Sequence, residues 1–145
     1  AIAEMPGQLR ADRWLSHMQD VLALGEHSIV VGHSSGAVAA MRYAEKFPLG
    51  GTVLVAAHHT HCDYFEEKRS GFFPERGWDW DVIKANNRRK IVQFGSNNDP
   101  LIPYGETEYI RGQLGTEYRE IPNRGHFAGF AFPELPEVIE EMLGQ

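Results

Sequence analysis

The sequence predicts an α/β fold in which helices cover both faces of a mainly parallel β-sheet. Two observations carry this prediction. Short apolar runs alternate with segments of helical periodicity, and glycine or proline separates them. A length of 145 residues is typical of one domain. We therefore expect a single domain over residues 1–145, with a long aromatic, lid-like excursion at 58–80 that interrupts the alternation.

The first predicted elements are a helix, a strand and a second helix. Apolar residues at helical spacing, Val21 among them, predict a helix over about residues 10–24. The run at 28–31, Ser-Ile-Val-Val, is typical of a buried parallel strand. Helical spacing returns over about 35–47, and Pro48 ends that helix.

The second half of the chain repeats this alternation. The apolar runs at 52–56 and 90–94 predict two more buried strands. A helix is expected over 106–114, and position along the chain predicts a weaker strand at 117–121. Apolar residues from Leu135 to Leu143 keep the i, i+3, i+4, i+7 spacing of a last helix.

Composition excludes several classes of protein. Acidic residues outnumber basic ones by 20 to 14, which argues against a nucleic-acid-binding protein because such proteins need a basic face. No apolar run approaches the length of a membrane helix, and residues 1–10 lack the apolar core of a signal peptide. A single cysteine, Cys62, excludes an internal disulfide. We expect a cytoplasmic protein that binds neither nucleic acid nor membrane.

Residues 32–36, Gly-His-Ser-Ser-Gly, match the pattern G-x-S-x-G between a predicted strand and a predicted helix. This context is typical of a nucleophile elbow, a strained turn that exposes the hydroxyl of its central serine, here Ser34. Gly32 and Gly36 would allow the strand and helix to pack closely, and the Ser35 N–H would bind an oxyanion. The alternative is an ordinary glycine-bearing turn in which Ser35 caps the helix.

A serine nucleophile needs a base, and the elbow's usual chain order places an acid and then a histidine downstream. Asp99 lies in a polar loop after the third predicted strand, and His126 follows the weak strand. Each has an ordinary alternative, a turn aspartate before Pro100 and one loop histidine among seven. Their order after Ser34 predicts a Ser-His-Asp triad.

Several longer stretches, spread along nearly the whole chain, match the sequence pattern of one protein family. They lie at residues 32–45, 70–73, 78–80, 83–86, 91–96, 99–100 and 125–127. Together they resemble the retinoblastoma-binding protein 9 serine hydrolases. The resemblance implies a small α/β-hydrolase-like three-layer sandwich without a cofactor, and by position Ser34, Asp99 and His126 inherit the family's triad.

The sequence departs from this family pattern at two places. The family's opening strand, with the Gly-rich loop that supplies a second oxyanion amide, would precede Ala1, so we expect an N-terminally incomplete sheet with residues 28–31 at its edge. The family's retinoblastoma-protein-binding motif is Leu-x-Cys-x-Glu, and residues 22–26 lack its cysteine. Retinoblastoma-protein binding is therefore not supported.

The excursion at 58–80 contains aromatic residues that could line an acyl or leaving-group pocket over Ser34. They are Phe72, Phe73, Trp78 and Trp80. The alternative is that they only cover the end of the sheet.

Metal ligands also crowd the start of the excursion, as His58, His59, His61 and Cys62. Adjacent side chains in an extended loop point apart, so we expect a wet rim of an active site and no metal site.

The sequence thus predicts a serine hydrolase that cleaves a small-molecule ester or amide through an acyl-enzyme. The alternative is a catalytically weak or inactive hydrolase-like binding protein, which the missing oxyanion loop favours. The sequence leaves the oligomeric state open.

Overall fold

The computed structural model describes residues 2–129 and 131–144, and it confirms the α/β prediction. Four parallel strands form one sheet in the order β1-β2-β3-β4. The strands are β1 (Ile29–His33), β2 (Gly51–Val55), β3 (Ile91–Gly95) and β4 (Glu117–Glu120). The helices are α1 (Ala11–Asp20), α2 (Ser35–Ala44), α3 (Phe65–Arg69), α4 (Trp80–Ala85), α5 (Tyr104–Leu114) and α6 (Glu134–Leu143). None of these helices has the length and apolar character needed to cross a membrane.

The strand register brings the carboxyl ends of all four strands to one edge of the sheet. His33 pairs with Val55, Val55 with Phe94, and Gly95 with Glu120. The chain segments that follow the strands therefore emerge side by side. In open α/β sheets this edge is where ligands bind.

Two apolar layers enclose the sheet, which gives the predicted three-layer arrangement. On one face, α2 contributes buried residues such as Val38 and Met41, and helices α1, α4 and α5 complete that layer. On the other face, Val53 and Phe94 pack with Val138 of α6. Strands β2 and β3 are buried along their whole length, as expected for parallel strands covered on both faces.

Two helix predictions differ from the structure. Helix α1 ends at Asp20, and Val21 is 67% exposed, although helical spacing placed it on the apolar stripe. The chain leaves the helix because Leu22 and Leu24 pack against the core, and Ala23 between them has a left-handed φ of 50°. Leu143 is 62% exposed because α6 turns Val138 and Met142 to the sheet.

The excursion at 58–80 contains helix α3, which sequence periodicity did not predict, and it is fastened to α2. Arg42 of α2 is 3% exposed and donates to the carbonyls of Phe72 and Gly77, each at 2.8 Å. Its guanidinium lies 3.4 Å from the ring centroid of Trp78 and pairs with Glu45 at 2.8 Å. These contacts hold the excursion against α2.

Strand β1 lies at one edge of the sheet in the described chain, since it pairs only with β2. Val31 in this strand is 38% exposed.

Candidate active site

Ser34 occupies a strained turn between β1 and α2. Its φ of 56° and ψ of −119° are unfavourable for a residue with a side chain. The turn is held because Ser34 N–H donates to Val55 O at 2.9 Å and Ser34 O accepts from Ala37 N at 2.9 Å. Ser34 itself is the N-cap residue, and its hydroxyl makes no capping bond. The alternative in which Ser35 caps the helix is therefore wrong, because Ser35 is the first residue of α2.

Close packing of strand and helix at this turn requires glycine at position 32. A Cβ on Gly32 would collide with the Gly36 carbonyl, at 2.6 Å from its carbon, and would lie 2.7 Å from Ala37 Cα. A Cβ on Gly36 would meet no atom within 4 Å. The steric need that we predicted for both glycines is thus present at Gly32, and Gly36 takes part through its backbone.

Asp99 and His126 meet at the carboxyl edge of the sheet. His126 Nδ1 lies 2.9 Å from Asp99 Oδ2, and their side chains are 13% and 6% exposed. Asp99 Oδ1 also accepts from the backbone N–H groups of Leu101 and Ile102, at 2.8 and 3.0 Å, which fixes the carboxylate. A carboxylate on Nδ1 keeps the proton there and leaves Nε2 free to accept one.

His33, the residue before Ser34, connects this pair to the strained turn. Its Nε2 donates to the His126 carbonyl at 2.7 Å, and the two imidazole rings lie 4.8 Å apart between centroids. In the part of the chain that the structure describes, no hydrogen bond links Ser34 Oγ to His126. Hydrogen bonds of this kind are often long without substrate and shorten in the reacting complex.

The histidine loop is positioned by polar side chains that the sequence analysis did not single out. Three consecutive residues after β3 accept hydrogen bonds from backbone N–H groups of the loop, at 2.8 to 2.9 Å. The acceptor and donor pairs are Ser96 with Arg124, Asn97 with Asn123, and Asn98 with Gly125. The run of small polar residues directly after a buried strand was the available signal.

Comparison with known proteins identifies the family of this chain. The family model described as serine hydrolase matches residues 3–142. This chain belongs to the serine hydrolase family. Serine hydrolase RBBP9 of Rattus norvegicus is 40% identical over 138 residues, which cover 95% of this chain and 73% of that relative. The resemblance found in the sequence is thereby confirmed, and the protein is a hydrolase.

Solved structures show the same fold. The ydeN gene product of B. subtilis superimposes with a TM-score of 0.85 at 23% identity, covering 99% of this chain and 82% of the other. A structure from work on carboxylesterases of Nitrososphaera gargenis gives a TM-score of 0.65 at 11% identity, covering 96% and 73%. At these identities the likeness establishes the α/β-hydrolase fold alone.

A second acid–histidine pair in this serine hydrolase fixes the segment after β2. Glu106 of α5 pairs with the His59 ring and accepts from the His59 and Thr60 N–H groups at 2.7 and 3.2 Å. Burial alone would raise the pKa of Glu106, but the hydrogen bonds from His59 and Thr60 outweigh it and lower the pKa to about 2. Burial, with the nearby Glu106 charge, raises the pKa of the Cys62 thiol to about 11.

The histidines at 58 and 61 form hydrogen bonds within their own segment of the chain. His58 Nδ1 donates to Thr60 O at 2.7 Å, and His61 Nδ1 accepts from Asp63 N at 3.0 Å. Across residues 2–129 and 131–144, no three histidine, cysteine or acidic side chains are grouped so that they could hold a metal ion.

The structure separates the aromatic residues that we predicted for a substrate pocket. Phe72 is 0% exposed and packs edge-on against Trp14, so it belongs to the core and does not line an open surface. Trp78 and Trp80 stack with centroids 5.3 Å apart, and Phe73 stacks on His58 at 5.7 Å. These three are partly buried, and their contact with substrate stays a prediction.

Proposed function

We propose that this serine hydrolase cleaves small carboxylic esters or amides through an acyl-enzyme on Ser34. The observation that carries the proposal is the strained Ser34, whose neighbour His33 contacts the His126 carbonyl of the Asp99–His126 pair. Backbone strain of this kind persists where the surrounding structure enforces it, and it is common at active sites. The family supports hydrolysis, and the geometry supports these three residues in the roles of nucleophile, base and acid.

The reaction begins with proton transfer from Ser34 Oγ to His126 Nε2 as Oγ attacks the substrate carbonyl carbon. Asp99 stabilises the imidazolium that forms. When the tetrahedral intermediate collapses, His126 gives the proton to the leaving alcohol or amine. A water molecule then attacks the acyl-enzyme by the same route, which releases the acid and restores Ser34.

The oxyanion is stabilised by the N–H of Ser35. Ser35 is the first residue of α2, and the N–H groups of a first helical turn have no partner within the helix. The positive end of the helix dipole adds to this effect. Loss of one such donor typically lowers the rate by about 10²–10³.

We also propose a cytoplasmic location and a small-molecule substrate, with no cofactor in the reaction. The free Cys62 supports a reducing compartment.

Two single variants test the nucleophile. Ser34→Ala should lower kcat/KM for an activated ester by roughly 10⁴ or more, since triad residues act as a unit. Ser35→Ala is the matched control, because it keeps the backbone N–H, and its loss should be far smaller. Equal losses in the two variants would exclude Ser34 as the nucleophile. A wild-type protein that hydrolyses no ester or amide would favour the hydrolase-like binding protein.

A further inference from the structure

A carboxylate outside the proposed triad contacts the nucleophile turn directly. Ser35 Oγ donates to Glu67 Oε1, and Glu67 is 6% exposed. Glu67 lies on α3, within the excursion, 32 positions from Ser35 in the chain. This contact therefore joins the excursion to the first residue of α2, beside Ser34.

The surroundings of Glu67 are buried and polar. His58 is 1% exposed, and its Nε2 lies 3.6 Å from Glu67 Oε1. Glu67 Oε2 is buried and has no hydrogen-bond partner among the described residues. The carboxylate thus has one oxygen bound to Ser35 and one left without a partner.

A half-paired buried carboxylate is an unfavourable way to connect α3 to α2 if the connection has only a structural role. A buried polar oxygen without a partner lowers stability, and the penalty is larger for a charged group. A neutral or apolar contact would connect α3 to α2 at a smaller penalty. Natural proteins keep unfavourable arrangements of this kind mainly at functional sites.

We propose that Glu67 is a positioning residue for hydrolysis, acting through Ser35. The proposal rests on the function proposed above. The strained backbone of Ser34 must be held by its neighbours. A hydrogen bond to a carboxylate is among the stronger ones available, so Glu67 fixes the Ser35 side chain and with it the first turn of α2. The Ser35 N–H then stays directed at the oxyanion while Ser34 attacks.

The test is a double-mutant cycle measured on ester hydrolysis, with active sites counted by fluorophosphonate titration. Glu67→Ala and Ser35→Ala should each lower kcat by about tenfold to a hundredfold, the range set by a hydrogen bond to a charged acceptor, with a smaller change in KM. The double variant should lose no more than the worse single variant, because both remove one interaction. Glu67→Gln should recover most of kcat, since its amide oxygen can accept the same bond.

Glu66→Ala is the matched control, because Glu66 is the exposed neighbour of Glu67 on the same helix, and its kcat should equal that of the wild type. Losses that multiply in the double variant would overturn the proposal. It would also fall if Glu67→Ala lowered only the melting temperature and left kcat per titrated site unchanged. If the Glu67 variants do not fold, unchanged kcat in Ser35→Ala overturns it, and reduced kcat there supports it. A wild type without a reactive Ser34 would instead refute the proposed function, and this proposal with it.

Discussion

Replacing Gly32 with alanine should disrupt the turn that presents Ser34. The new Cβ would lie 2.6 Å from the Gly36 carbonyl carbon and 2.7 Å from Ala37 Cα. Carbon atoms prefer a separation of about 3.5–4.0 Å, so β1 and α2 would have to move apart by about 1 Å. Both obstacles are backbone atoms, which no side-chain rotation can remove. Overpacking of this kind should lower the free energy of unfolding by about 1–3 kcal/mol.

The same displacement would move Ser34 relative to His126. A misplacement of about 1 Å in a catalytic group can lower activity by roughly 10². Gly36→Ala is the matched control, because its Cβ meets no atom within 4 Å. Gly36 is the second residue of α2 and its position accommodates a Cβ, so alanine there should stabilise the protein by about 0.4–1 kcal/mol. Urea unfolding and kcat/KM measured on both variants check the prediction. A Gly32→Ala protein as stable and active as Gly36→Ala would refute the close packing described here.

Three further predictions concern other residues of the structure. Asp99→Asn should lower kcat by about 10⁴, because the amide cannot stabilise the imidazolium and favours the wrong tautomer, and a loss below tenfold in steady-state assays would contradict this role. Because the pKa of Glu106 is lower in the folded state, its ionisation stabilises the fold at pH values above the ordinary glutamate pKa. This contribution to the free energy of unfolding, up to about 3 kcal/mol, is lost as the pH falls from about 4.5 to about 2. Urea unfolding at pH 7 and pH 3 should therefore show a smaller pH dependence in Glu106→Gln than in the wild type, and equal dependences would contradict this assignment. Arg42→Met should destabilise the protein by about 3 kcal/mol or more, since it leaves buried acceptors unpaired, and an unchanged melting temperature would contradict the anchoring of the excursion.

The sequence predicted the alternation of strands and helices because buried parallel strands need continuous apolar runs, as in residues 51–55. It did not predict the end of α1. Val21 continues the helical spacing, yet the packing of Leu22 and Leu24 against the core draws the chain out of the helix. Tertiary contacts of this kind override local periodicity.

The residues proposed for catalysis could be found from the sequence because each follows a strand and their order is typical of the fold. The contact between Ser35 and Glu67 could not, since its partners are 32 positions apart and lie on different helices. Adjacent aromatic residues posed the same difficulty. Phe72 enters the core, whereas Phe73 stacks on His58, and no spacing signal within the aperiodic excursion distinguishes the two.

The most direct test of Ser34 as the nucleophile is to locate the serine that reacts with a fluorophosphonate. The protein would be labelled to completion, digested and mapped by mass spectrometry, beside the Ser34→Ala variant. One adduct is expected, on Ser34, and none on the variant, because only a serine activated by a neighbouring base reacts quickly. An adduct on Ser35 or on any other residue, or equal labelling of Ser34→Ala, would contradict the assignment of Ser34 as the nucleophile.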